Sequence, residues 1–475
     1  VTTQEITQTV LGDGTIAELA EAVRGEVIVP GDSGYDEARA IWNGAHDRRP
    51  ALIVRCTGVA DVMRAVEFAR SQDLEVAVRG GSHSIPGFST VDGGIVIDLS
   101  PMQGIRVDAE ARTARAQGGV QWGEFDHETQ AFGLAVTGGL VSTTGLGGFT
   151  LGGGIGWLVR KHGLTSDNLI SADVVTADGR LVTASADENP ELLWGLKGGG
   201  GNFGIAVSLE YRVRPVGPVV MGGPIFYPGD RTEEILRFYR DFVRDLPDEL
   251  TTLANLLWAP PAPFIPEEWH GKPLIGLVAC YAGSVEDGAK AVAPLRELGD
   301  PVADLMGPIP YTGLQSLLDP LWPHGKHTYM KAGYVRELDD AAIETAARYH
   351  QEATSPASEI HFHHFGGAVA RVEEGATAYR EREAPYVLNV IGASFDSEGF
   401  DSHVDWAQRL YADLEPSLTG GAYINFLSSE GEDRVRAAYG EEKFARLQAL
   451  KDEYDPTNLF HLNQNIPPSG TEGAR

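Results

Sequence analysis

Three features of the sequence predict an α+β chain of at least two packed units. Its 475 residues exceed what one ordinary core accommodates. A β-α-β pattern fills residues 51–99. Beyond Pro215 and Pro218 glycine thins out, and strands alternate with amphipathic helices.

Residues 51–56 (ALIVRC) are a short apolar run of β type. After Thr57-Gly58, the apolar Val59, Val62, Met63, Val66 and Phe68, with Ala69 beside them, recur at helical spacing over 59–72. A second strand over 74–78 runs into Arg79-Gly80-Gly81-Ser82-His83-Ser84, and residues 94–99 (GIVIDL) form a third, completing one α/β lobe. Residues 113–117 are strand-like and 122–131 helical, followed by a glycine-rich stretch over 138–156. Residues 172–185 read as two strands joined at Asp178-Gly179, a strong hairpin signal. Gly198–Gly201 leads into the alternating strand 205–213 (IAVSLEYRV). These segments assign residues 1–216 to a first domain of two α/β lobes. A second domain is expected over 217–450, with helices at 233–246 and 339–351 and strands at 360–365, 387–395 and 422–427. The turn-rich tail, 451–475, is expected to return to the first domain.

The formal net charge of -29 points away from nucleic acid and from anionic membranes, both of which require a basic surface. No window has the apolar length of a bilayer span. Val1-Thr2-Thr3-Gln4-Glu5 carries neither the basic nor the apolar region of a secretion signal. Cys56 and Cys280 are too few for a disulfide framework and lack metal-ligand spacing. They are expected to act as small buried hydrophobes in a reducing, cytoplasmic setting.

The 58 glycines are clustered rather than spread. The literal GxGxxG match, Gly199 to Gly204, is followed by a strand and not by the helix that a dinucleotide fold requires, so a Rossmann reading is rejected. No GxxxxGK[ST] phosphate loop is present. Successive N–H groups without Cβ atoms can still curl around an anion, and local donors of this kind suit a diphosphate in a strongly negative chain. Arg79-Gly80-Gly81-Ser82, Gly145–Gly148 and Gly152–Gly154 are candidate nests; tight turns alone are the other reading of each run.

Four stretches in register resemble the berberine bridge enzyme-like FAD-linked oxidases of the vanillyl-alcohol oxidase and p-cresol methylhydroxylase (PCMH-type) superfamily. They are Arg79 to Ser84, Thr144 to Gly148 with Gly152-Gly153-Gly154, Trp194 to Gly204 (WGLKGGGGNFG), and Tyr454-Asp455-Pro456 with Asn463-Gln464-Asn465-Ile466-Pro467. The resemblance implies a two-lobed FAD-binding domain and a substrate domain whose antiparallel sheet, covered by helices, lies over the flavin ring. It implies an 8α-histidyl bond from His83. The cofactor-binding set it implies comprises His83 with Arg79, Gly80, Gly81, Ser82, Ser84 and Gly87; Val141, Thr144, Gly145, Gly147, Gly148, Gly152, Gly153 and Gly154; and Gly204, Ile205, Tyr423, Asn463 and Asn465. Many members add a second bond through a Cys at the position held here by Val141, so a single tether is expected.

Thr144 occupies the family's oxygen-gate position, and its modest volume favours oxidase chemistry with molecular oxygen. The expected reaction is oxidation of a hydroxyl or activated C–H of a small organic molecule, with hydride passing to flavin N5. An FAD-dependent dehydrogenase with another acceptor and a flavin carrier with little catalysis are the alternatives. Tyr423 and Asn425 lie where members keep an active-site strand, so Tyr423 reads either as a base or as a half-buried sheet tyrosine. Ile155 stands where other members carry a Tyr. His361 and His363 share one face of a strand and suit proton transfer, while His364 points the other way. No metal is expected.

Overall fold

The computed structural model describes residues 11–471; the start discussed above, Val1 to Glu5, lies outside them. In the first lobe Leu52–Arg55 and Val76–Arg79 flank Ile95–Asp98 in parallel, and Glu26–Ile28 joins antiparallel at the edge. The helix Val59–Ser71 makes the crossover, burying Val62, Ala65, Val66 and Ala69 against that sheet. The second lobe is a five-stranded antiparallel sheet in the order Ile105–Asp108, Thr113–Gln117, Ile205–Arg212, Leu169–Val175, Leu181–Ala184. The turn at Asp178-Gly179 joins its last two strands, with Gly179 at φ 82° where a side chain would be strained.

The substrate domain is an eight-stranded antiparallel sheet. Leu250–Trp258, Glu359–His364, Tyr386–Ser394 and His327–Val335 lie side by side in it. Alternation decides its two faces. Ile360, Phe362, Leu388 and Val390 pack under the helices Thr232–Phe242, Asp340–Gln351 and Phe400–Leu414. Glu359, His361, His363 and Asn389 occupy the alternate positions on the opposite face.

Residues 422–427 are not a strand. They form a short 3₁₀ turn, Ile424–Phe426, pinned because the Gly154 N–H donates to the Tyr423 hydroxyl. The helices Glu432–Tyr439 and Glu441–Tyr454 share the second lobe's core with Trp194 and Phe203, so we place the return to that lobe near residue 422 and not at 451. The tail is fixed by a fully buried pair: Lys451 Nζ donates to Asp455 at 2.7 Å and to the Asn202 and Phe460 carbonyls. Asp455 also accepts from the Leu459 and Phe460 N–H groups, so both charges are satisfied. Asn202 in turn accepts from Ile466 N–H and donates to the Gln464 carbonyl. The two motifs that looked separate in the sequence hold each other.

Asp126, on the helix Trp122–Gln130, is buried where the second lobe meets Gln315 of the substrate domain. Burial lifts its carboxyl to about 7, although the Gln315 amide donates to it. Among the described residues its Oδ1 has no donor, in keeping with a protonated, neutral carboxyl. The folded state therefore keeps this proton between about pH 4 and 7, where the unfolded chain has lost it, so stability falls as pH rises through that window. Relative to Asp126→Asn, the wild type should lose up to about 4 kcal/mol between pH 4 and 8. Denaturant midpoints of the two proteins across that range check this; parallel curves would refute it.

Candidate functional site

A cleft of about 360 Å³ runs between the two lobes and the inner face of the substrate sheet. Among the described residues no Asp, Glu, Lys or Arg side chain lines it, in a chain of net charge -29. An anionic cofactor there must be held by main-chain and neutral side-chain donors.

The lobes meet backbone to backbone. A Cβ on Gly81 would lie 2.2 Å from the Gly145 nitrogen, and one on Gly145 2.3 Å from the Gly81 nitrogen. Among the described residues the N–H groups of Gly81, Ser82, His83 and Ser84 donate to no other group. Gly147, Gly148, Gly200 and Gly201 add side-chain-free surface to the same cleft. Such a channel, bare of side chains and rich in free amides, fits a diphosphate. The apolar walls of Val76, Val78, Leu99 and Ile205 fit flat rings. The residues present therefore suit FAD.

His83 lines the cleft, stacked on Trp42 with ring centroids 4.6 Å apart. Its Nε2 bonds Thr143 Oγ1 at 2.9 Å, leaving Nδ1 as the free ring nitrogen. Burial, with His324 nearby, lowers its pKa to about 3, so the imidazole is neutral and nucleophilic throughout the physiological range.

Gly80, Ser82, Ser84, Val141, Thr144, Gly145, Gly147, Gly148, Gly204, Ile205, Asn425 and Asn463 all line the cleft as well. Other expected cofactor residues stand behind it. Arg79 is buried and donates to carbonyls of Ala38, Arg39 and Ser89, bracing the loop. Gly87, at φ 73°, makes room for His46. Gly152, Gly153 and Gly154 make room for Asn425, Tyr379 and Thr165, and Asn465 lies off the cleft. Tyr423 is also off it: its hydroxyl accepts from Gly154 N–H and Asn425 Nδ2. Burial pushes that phenol well above its ordinary range, so the geometry suits a strut better than a base. Cys56 and Cys280 are fully buried away from the cleft, and burial pushes both thiols up.

The sheet contributes Met330, His361, His363 and Asn389. His361 Nε2 bonds Glu359 Oε2 at 2.9 Å, and that oxygen also accepts from Asn255 Nδ2 at 3.0 Å. Lys326 Nζ stands 3.6 Å from the other carboxylate oxygen. Burial alone would raise the Glu359 carboxyl, but His361, Lys326 and Asn255 together hold it below its ordinary value. A carboxylate there fixes the Nε2–H tautomer of His361 and leaves Nδ1 as an acceptor. His364 faces away and bonds Arg160. Trp42 and Asn389 were missed in the sequence, since neither belongs to a motif and each arrives by long-range packing.

A family model described as "FAD binding domain" matches residues 50–185, and one described as "Berberine and berberine like" matches 422–467. The chain is 32% identical over 470 residues to (R)-6-hydroxynicotine oxidase of Paenarthrobacter nicotinovorans, covering 95% of this chain and 98% of that one. It is 40% identical over 497 residues to the FAD-linked oxidoreductase pgmH of Aspergillus terreus, covering 97% of each. The crystal structure of 6-hydroxy-D-nicotine oxidase from Arthrobacter nicotinovorans superposes with a TM-score of 0.85 at 29% identity, covering 94% of this chain and 98% of that one. With the glycine-walled cleft and its histidine at the centre, these matches show that the chain is an FAD-dependent enzyme belonging to the berberine bridge enzyme-like FAD-linked oxidoreductases of the PCMH-type superfamily.

Proposed function

We propose an oxidase that removes a hydride and a proton from a hydroxyl-bearing or activated carbon of a small organic molecule and passes both electrons to molecular oxygen, giving H2O2. The observation that carries this reading is the Glu359–His361 pair opening on the same cleft as His83. FAD, when bound, supplies the two-electron acceptor. His361 Nδ1 takes the substrate proton, and Glu359 offsets the charge that the ring then gains. Thr144 and Ile155 are modest in size and leave room for oxygen. His83 is the single attachment point, through Nδ1, because Val141 offers no thiol.

The tether is tested by flavin fluorescence on a denaturing gel: wild type should be fluorescent and His83→Ala dark. Equal fluorescence in both would place the bond elsewhere. Anaerobic bleaching of the flavin by alcohols, sugars and phenols, followed by exposure to air, tests the reaction. Rapid return of colour with peroxide is the expected outcome; a flavin that stays reduced in air would mark a dehydrogenase.

A further inference from the structure

Two buried polar atoms at the sheet end of the cleft have no partner among the described residues: His363 Nε2 and Asn389 Oδ1. Their residues are only 5% and 2% exposed and both line the cleft, so the partner within their reach is whatever occupies the cleft. Orphans of this kind are unfavourable unless a ligand meets them. His361 and Asn389 are paired across adjacent strands, so the polar groups are confined to one small patch. Around them the lining is mostly apolar, with Trp322, Leu318, Phe426 and Met330 beside Asn425 and Gln464, and Phe426 is tilted on His363 at 5.6 Å between ring centroids. No carboxylate or ammonium reaches it, because Glu359 and Lys326 stand behind His361 and Trp322.

Resting on the oxidase reading above, we propose that the substrate is an uncharged hydroxylated aromatic. Its polar edge meets Asn389 and His363, and its ring lies among Trp322, Phe426 and Met330. A sugar would bring a ring of hydroxyls to a wall with few polar side chains, leaving most of them unpaired. A cationic ring would lose its hydration with no anion to face it. Burial, with His361 alongside, keeps the His363 ring neutral and able to pair with a neutral hydroxyl.

The test titrates the FAD-loaded protein with 2-naphthol, cellobiose and benzyltrimethylammonium, following the visible flavin spectrum and, independently, naphthol fluorescence. 2-Naphthol should bind saturably and at least about tenfold tighter than either competitor. Asn389→Leu, with unchanged flavin content, should weaken it about tenfold, and His363→Phe similarly. Tighter binding of cellobiose or of the cation, no saturable binding of 2-naphthol, or unaltered binding by both variants would each overturn the inference. A protein that takes up no FAD would instead overturn the reading beneath it.

Discussion

His361→Gln should slow anaerobic flavin reduction by about 10²–10⁴-fold while the bound FAD stays unchanged. Glutamine keeps a donor for Glu359 but offers the substrate no base. His361→Ala leaves a ring-sized space next to Glu359, and added imidazole should restore part of its rate. That rescue separates proton transfer from packing, because a merely structural histidine would not be replaced by a free base in solution. Stopped-flow reduction of wild type and both variants by a compound that bleaches the wild-type flavin makes the measurement. Reduction by His361→Gln at the wild-type rate would remove His361 from the chemistry.

Gly145→Ala should abolish FAD binding and destabilise the fold by about 3 kcal/mol or more. At φ -72° the backbone itself accepts alanine, so the damage comes wholly from the new carbon. It would stand 2.3 Å from the Gly81 nitrogen, and main chain cannot swing aside as a flexible side chain can. The lobes must part, and the amides of residues 81–84 move with them. Gly14→Ala is the internal control, since a Cβ there meets nothing within 4 Å and the residue lies off the cleft. Flavin absorbance after purification and a thermal melt compare the two. Equal flavin content in Gly145→Ala and wild type would contradict the close approach.

The first lobe was legible because local rules and tertiary structure agree there. The helical spacing of Val59 to Ala69 and the flanking apolar runs each admit one answer, and the three strands pair as read. The glycine motifs were legible as a cofactor channel, yet only half of the Gly152-Gly153-Gly154 reading was right in kind. Those glycines do allow close approach, but to Asn425, Tyr379 and Thr165. The run 422–427 looked like a strand because a short apolar segment has no period of its own. Its conformation is set by Gly154 and Phe149, some 270 residues earlier, through hydrogen bonds to Tyr423 and Asn425. The Glu359–His361 pair escaped for a narrower reason: the predicted strand began at residue 360, one position too late to put Glu359 on the histidine face. Trp42 offered no local signal, since only the folded chain brings it onto His83.

The hold of Asn202 on residues 464–466, and of Lys451 on residues 202 and 460, fixes when the protein can first work. Phe460, Leu462 and Gln464 wall the cleft that begins at Trp42, so a nascent chain emerging from the ribosome has no finished chamber until its last helix has docked. The first lobe's strands emerge early, but the second lobe's core waits for the helices Glu432–Tyr439 and Glu441–Tyr454, which the inserted sheet domain delays. FAD uptake is therefore expected only once the C-terminal segment has docked, and a chain cut before Asp455 that still bound FAD would contradict this.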